Sequence, residues 1–301
     1  MSHVGRPALD RRALGLALTR VANSPASADF FSTEPPIARA RRVGLTGPPG
    51  AGKSTLAGQL AVARLAQGRL GILAIDPTST VSGGAILGDR IRMDDLAGAE
   101  NVFIRSFGSR TATDGLTDNL PELLDTMDRF DFDEVIVETV GVGQVELAAR
   151  VHVDTLVLVI PPDAGDVVQA MKAGIVEIAD VFAINKADMP SAAKMYTEIK
   201  RIVGLTRRSG AGWTPPVIMT AKSKPESIAE LSREIDRHGE WLRASGELGT
   251  RNLLHKKYRL RRWLERKSQE IIDREAAAFF EASGQEQMRI LLQRLSDSLV
   301  R

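Results

Sequence analysis

The residues with the clearest chemistry stand in one run, Gly47-Pro48-Pro49-Gly50-Ala51-Gly52-Lys53-Ser54-Thr55. Its spacing, Gly-x-x-x-x-Gly-Lys-Ser, is that of a phosphate-binding loop. The glycines let successive backbone N–H groups turn toward one centre. A helix starting at the end of the loop adds unpaired N–H groups and a positive dipole end. Lys53 can then reach β- and γ-phosphates, and the Ser54 hydroxyl can hold Mg²⁺. A short apolar run, Val43 to Thr46, precedes the loop and a helical run, Thr55 to Ala66, follows it. That is the strand–loop–helix context the chemistry requires.

Further residues extend the site. Asp76 closes a second apolar run, at the strand end where open α/β sheets bind ligands. Its carboxylate can hold a Mg²⁺-bound water or orient the attacking water; the other reading is a surface loop in which Asp76 caps a turn. The following stretch, Val81-Ser82-Gly83-Gly84, suits a switch loop, and Asp89 rides on it. Glu138 ends a fourth strand and suits a Mg²⁺ partner, with Gly141 placed to sense a γ-phosphate; a helix-capping acid is the alternative. Asn185-Lys186-Ala187-Asp188 follows another apolar strand. Asp188 can accept from guanine N1 and the exocyclic amine. Adenine presents a different edge, and leaving buried polar groups unpaired costs about 1–3 kcal/mol each. Lys186 is expected along the base, Asn185 between the loops, and Thr220-Ala221-Lys222 as the closing loop. Gln169 and Lys172 share a helix face, which on spacing alone reads as a solvated surface. The histidines at 3, 152, 238 and 255 have no metal-ligand spacing, and His238 with Trp241 reads as packing.

These residues need a scaffold. Short Val/Ile/Leu runs at 42–46, 71–76, 101–106, 133–138, 154–160, 181–185 and 216–220 alternate with helical runs. The pattern predicts a mainly parallel central sheet with helices on both faces, an α/β fold. Gly68 and Gly204 are expected just past helix ends. Residues 1–40 form an expected helical leader and connector, 41–246 the nucleotide domain, and 247–301 a helical extension of two helices. The chain has 301 residues, 43% of them hydrophobic, which supports a sizeable core. Its 40 basic and 38 acidic residues give a formal net charge of +2. The basic residues cluster at 251–266, away from the phosphate-binding run, so nucleic acid is not an expected partner. There are no cysteines, which excludes disulfides and thiolate metal sites and fits a reducing cytoplasm. No apolar run approaches the ~18 residues of a membrane span, so no membrane association is expected.

Together the motifs resemble the MeaB/MMAA (ArgK-like) family of SIMIBI P-loop GTPases. The likeness rests on Gly47 to Ser54, Asp76-Pro-Thr-Ser, Ser82 to Arg90, Glu138 to Gln144, the Gln169/Lys172 segment, Asn185 to Asp188 and His238-x-x-Trp-Leu242. The resemblance implies a GTP/GDP- and Mg²⁺-dependent chaperone of an adenosylcobalamin-dependent acyl-CoA mutase such as methylmalonyl-CoA mutase. Such a protein gates cofactor loading and protects or reactivates the mutase. It also implies a homodimer with much of its contact in the C-terminal helices. Asp76, Asp89 and Glu138 would serve the Mg²⁺ and hydrolytic centre, and Gln169 and Lys172 a third switch signalling to the mutase. Relatives tend to carry a Gly-x-Gly turn where Lys224-Pro225-Glu226-Ser227 stands here. Two other classes stay open on the residues alone: a nickel-insertion GTPase, which calls for Cys/His clusters near the switches, and a P-loop kinase, which calls for an acceptor pocket.

Overall fold

The computed structural model describes residues 6–24, 39–77, 99–109, 119–139, 149–165, 178–205 and 212–299. Within them seven parallel strands form one sheet: β1 (Arg41–Thr46), β2 (Leu70–Pro77), β3 (Val102–Ser109), β4 (Glu134–Thr139), β5 (Thr155–Ile160), β6 (Val181–Ile184) and β7 (Val217–Met219). The order β3-β2-β4-β1-β5-β6-β7 puts β1 at the centre, paired in parallel with β4 on one side and β5 on the other. β1, β4 and β5 are buried almost throughout, as a sheet covered on both faces requires.

Alternate residues of each strand serve opposite layers. On one face, Leu56 and Leu60 of α2 (Lys53–Arg64) and Leu231 and Ile235 of α5 (Pro225–Ser245) join a core with Val43, Leu45 and Ile136. On the other, Leu14 and Leu18 of α1 (Arg11–Asn23) and Leu123 and Met127 of α3 (Leu120–Arg129) meet Leu73, Val135 and Val137. Met195 and Ile199 of α4 (Ala192–Leu205) pack on Leu158 and Phe182. The Asp10 side chain caps α1 by accepting from Ala13 N at 2.8 Å. Gly204 lies inside α4 rather than beyond it: the helix continues one residue further, so the glycine is tolerated near a helix end without making the cap. Gly68 does follow a short 3-10 turn, at φ 136°, and a Cβ there would lie 2.3 Å from Asp133 Oδ2.

The N-terminal edge of the sheet is built from charge. An aspartate immediately precedes each of β4, β5 and β6, and each accepts a backbone N–H from a neighbouring strand start. Asp133 takes Arg69 N at 2.7 Å, Asp154 takes Arg42 N at 2.8 Å, and Asp180 takes Leu156 N at 2.8 Å. Arg42, at 1% exposure, pairs with Asp128 at 2.9 Å. Arg64 of α2 pairs with Glu134 at 2.6 Å and Asp236 at 2.7 Å, tying α2, β4 and α5. Removing one partner from a buried pair of this kind costs about 3–5 kcal/mol.

The extension folds as α6 (Glu247–Ile272), a short α7 (Ala277–Glu281) and α8 (Gly284–Leu299). The two long helices match expectation; the short one had no separate signal. α6 crosses the charged edge and is held by polar anchors. Arg251 binds Asp180 at 2.9 Å and the Asp154 carbonyl. Asn252 accepts from Arg39 at 2.7 Å, Arg259 pairs with Asp125 at 2.5 Å, and Arg266 donates to Asn119 at 3.2 Å. Within the basic cluster at 251–266, Arg251 and Arg259 are thus paired with acids of the nucleotide domain. Among the described residues no helix is long and apolar enough to cross a membrane.

His255 of α6 is buried against Arg42 and the Val151 carbonyl, and its ring meets that of His152 edge-on. Burial, then the charge of Arg42, pushes His255 down to about 4. Burial and His255 push His152 well below its ordinary value too. An unfolded histidine takes up its proton near pH 6.5, so between about pH 6.5 and 4 the unfolded chain binds a proton that folded His255 refuses. Its contribution is present above about pH 6.5 and is lost as pH falls toward 4, at about 1.4 kcal/mol per pH unit. Denaturant unfolding from pH 7.5 to 4 should show this fall. His255→Gln should remove about one proton's share of the slope; an unchanged slope contradicts the assignment.

Candidate functional site

The C-terminal edge of the sheet gathers the predicted residues. β1 delivers the chain to Gly47, whose φ is 145° and where a Cβ would lie 2.1 Å from the Val159 carbonyl oxygen. Only glycine fits that approach of the loop to β5. Gly52, at φ 84°, is the residue from which α2 departs, and a Cβ there would lie 2.6 Å from Asn185 Nδ2. The buried Lys53 side chain bends back over the loop. Its Nζ donates to the carbonyls of Gly47 and Pro48, at 2.9 Å each. An ammonium held beside the first turn of a helix is set to meet polyphosphate oxygens.

Ser54 Oγ donates to Glu138 Oε1 at 2.6 Å. β1 and β4 are neighbours in register, Leu45 opposite Glu138, so the hydroxyl opening α2 and the carboxylate near the end of β4 meet across one strand spacing. Two hard oxygens side by side, 8% and 3% exposed, suit Mg²⁺. That ion is commonly held by one or two protein oxygens plus waters and phosphates.

The proposed base-reading loops are stitched to the phosphate loop by one amide. Asn185 Nδ2 donates to the Ala51 carbonyl at 2.8 Å, and Asn185 Oδ1 accepts from Thr220 Oγ1 at 3.1 Å. Ala187 N donates to the Thr220 carbonyl at 2.9 Å. Lys186 takes φ 57°, an unusual backbone for a side chain of its size, and it and Asp188 stay exposed beside the loop. Gln59 of α2 donates to the Lys222 carbonyl at 3.2 Å. Where a Gly-x-Gly turn was the comparison, Ser227 does the closing: its hydroxyl accepts from Ala221 N at 3.2 Å and donates to the Lys224 carbonyl at 2.6 Å. The sequence reading had no role for Ser227 or Gln59; a serine three residues into a Pro-initiated helix was the available signal.

The structure thus brings together Gly47 to Thr55, Glu138, Asn185 to Asp188 and Thr220 to Lys222. Asp76 is the penultimate residue of β2, opposite Gly108 of β3; its side chain lies outside the described residues. Asp89, Gly141, Gln169 and Lys172 also lie outside them. Thr46 and Thr139, unassigned from sequence, end β1 and β4 with buried hydroxyls that have no hydrogen-bond partner among the described residues. His238 is more than packing. Its Nδ1 lies 2.8 Å from Thr155 Oγ1 and its Nε2 3.3 Å from Asp180 Oδ1, while its ring stacks on Trp241.

A family model described as methylmalonyl Co-A mutase-associated GTPase MeaB matches residues 12–278. This chain belongs to that family. It is a P-loop GTPase of a family that binds guanine nucleotide. A putative GTPase of Pyrococcus horikoshii is 41% identical over 244 residues, covering 79% of this chain and 77% of the relative. The mitochondrial methylmalonic aciduria type A homolog of Mus musculus is 38% identical over 214 residues, covering 70% of this chain and 52% of that protein. The crystal structure of a LAO/AO transport system kinase superposes with a TM-score of 0.69 at 24% identity, over 96% of this chain and 94% of the other. That likeness shows the shared fold.

The Asn185 amide generates a direct test. Asn185→Ala removes its side-chain bonds to Ala51, Gly52 and Thr220. Loss of these buried bonds, about 1–2 kcal/mol, should lower the thermal midpoint by a few degrees and, with the loops no longer tied, weaken GDP about tenfold in calorimetric titration. Unchanged GDP affinity would contradict the tie between the loops.

Proposed function

We propose that this MeaB-family GTPase is a Mg²⁺-dependent G-protein chaperone that serves an adenosylcobalamin-dependent acyl-CoA mutase. In this role it gates cofactor loading and protects or reactivates the mutase. The observation that carries the nucleotide half is the joining of the phosphate loop to the Asn185–Asp188 loop through the Asn185 amide. The family's printed description, as mutase-associated, supports the partner half.

In this reading the loop N–H groups and Lys53 hold the β- and γ-phosphates, and Asp188 accepts from guanine. Ser54 and Glu138, with Asp76 and Asp89, would hold Mg²⁺, which supplies charge neutralisation at the phosphates when bound. Asp76 or Asp89 orients a water whose oxygen bonds to the γ-phosphorus as the bond to the β-phosphate bridging oxygen breaks, giving GDP and phosphate. Positioning and charge neutralisation carry most of this reaction, so hydrolysis is slow until the partner orders the loops. Gly141 senses the γ-phosphate, and Gln169 and Lys172 pass its presence to the mutase.

GDP should bind this chain in Mg²⁺ with marked preference over ADP. Asp188→Asn should weaken GDP by roughly 1.5–3 kcal/mol, the worth of a hydrogen bond to a charged group. Comparable GDP and ADP affinities in the wild-type chain contradict the base assignment. Lys172→Ala should keep GDP affinity and basal turnover but lose stimulation by the cognate mutase, whereas Lys53→Ala should damage nucleotide binding itself. Full stimulation of the Lys172 variant would return that residue to a solvated helix face.

The extension supports a homodimer. Leu253, Leu260 and Leu264 of α6 are 52%, 49% and 42% exposed, with Phe280, Met288 and Leu292 similarly open beyond them. Apolar surface in such a stripe favours a covering partner. Light scattering at micromolar concentration should give a dimer mass, and a Leu260→Asp/Leu264→Asp variant a monomer. A monomeric wild-type chain contradicts the proposal.

A further inference from the structure

A cavity of about 660 Å³ opens between the helical turn at residues 149–152 and the first half of α6. It lies at the N-terminal edge of the sheet, away from the nucleotide. Asp180, behind it, precedes β6, whereas Asn185 follows the same strand. Four cations line the cavity, Arg150, Arg251, Lys257 and Arg261, against one carboxylate, Glu247.

The site is built in two parts. Arg150 and Arg251 are held by one buried carboxylate: Asp180 accepts from Arg150 at 2.7 and 3.1 Å and from Arg251 at 2.9 Å. Burial works to raise the Asp180 carboxyl, but the hydrogen bond from His238 and the two arginine charges outweigh it and hold it well below the usual carboxylate range. Asp180 stays charged, so both guanidiniums are fixed before any ligand arrives, and a guanidinium offers five N–H donors, more than these bonds use. Lys257 and Arg261 are one turn apart on α6 and exposed. Among the described residues neither has an acidic partner, unlike Arg251, Arg259 and Arg262 on the same helix. Counting Asp180 with Glu247, the cavity keeps an excess of two positive charges. The remaining lining is Val151, Leu254 and the Tyr258 ring, with Thr250 beside them. Leu254 is 54% exposed, an open leucine among cations. Arg251, Leu254, Tyr258 and Arg261 share one helix face at intervals of three, four and three residues. That face is turned roughly a third of a revolution from Leu253, Leu260 and Leu264, with Lys257 between the two, so the cavity borders the apolar stripe.

We propose that this cavity is a second ligand site, for a small dianion carrying an apolar or aromatic body, a phosphomonoester being the best-fitting class. Arginine forks match phosphate oxygens, the two unpaired cations balance a dianion, and the apolar wall takes the body. The volume lies in the range of small-molecule sites. The proposal is independent of which mutase the protein serves.

The probe is 1-naphthyl phosphate, titrated calorimetrically into the full-length protein saturated with GDP and Mg²⁺, so that the phosphate loop is already filled. Saturable binding at one per chain is expected, about tenfold tighter than inorganic phosphate or 1-naphthol, since each of those offers half of the contact. The variant Lys257→Ala/Arg261→Ala changes exposed residues only. It should weaken 1-naphthyl phosphate tenfold or more and leave GDP affinity and oligomeric mass unchanged. Absence of saturable binding, or binding that the double variant leaves intact, overturns the proposal. A double variant that loses the dimer also overturns it, because the cavity would then be a subunit contact.

Discussion

The functional edge depends on strand ends arriving at one level. Asn185 can donate to Ala51 and accept from Thr220 only because β1, β5, β6 and β7 end side by side. The backbone supports this locally: Asn185 N donates to Ile160 O at 3.0 Å and Thr220 N to Ile184 O at 2.8 Å. An amide carries a donor and an acceptor on one short side chain. It therefore ties the Gly47–Thr55 loop to the Asn185–Asp188 and Thr220–Lys222 loops without adding a charge. The close approach of Gly47 to Val159 is the other half of this geometry, for it seats the loop directly over β5.

The opposite edge solves a different problem. Each strand start presents N–H groups that the sheet alone does not satisfy, and Asp133, Asp154 and Asp180 accept them. Buried carboxylates need compensating charge. Arg6 and Arg39 of the N-terminal segment, Arg150, and Arg251 of α6 supply it, so the N-terminal segment and α6 are bound to the sheet through the same row of acids. Rigid charge pairing thus lies at one end of the sheet, and exposed Lys186 and Asp188 lie at the other, beside the Gly47–Thr55 loop.

The parts legible in the sequence were those encoded locally. The phosphate loop, the Asn185–Asp188 run and the seven Val/Ile/Leu strands each occupy a handful of consecutive residues, and all seven strands are present. The link from Ser54 to Glu138 was readable because the two motifs already had roles. What escaped reading were pairs joined only by folding. Arg42 with Asp128 and Arg64 with Glu134 are 86 and 70 residues apart in sequence, and no spacing rule connects them. The basic run at 251–266 looked like a surface property. Two of its members are instead tied inward, Arg251 to Asp180 before β6 and Arg259 to Asp125 of α3. Gly204 misled because a glycine near a helix end is a cap only if the backbone turns left-handed there. His238 was identified as a packing residue from its i, i+3 relation to Trp241, but its polar partners Thr155 and Asp180 lie on other elements.

The central claim is that phosphate loop and base-reading loops form a single guanine-nucleotide site through Asn185. Hydrogen exchange of the full-length protein with and without Mg·GDP tests it most directly. The account predicts that nucleotide slows exchange together in residues 47–55, 185–188 and 220–222. Protection confined to 47–55, with the other two segments exchanging as in the nucleotide-free protein, would contradict it.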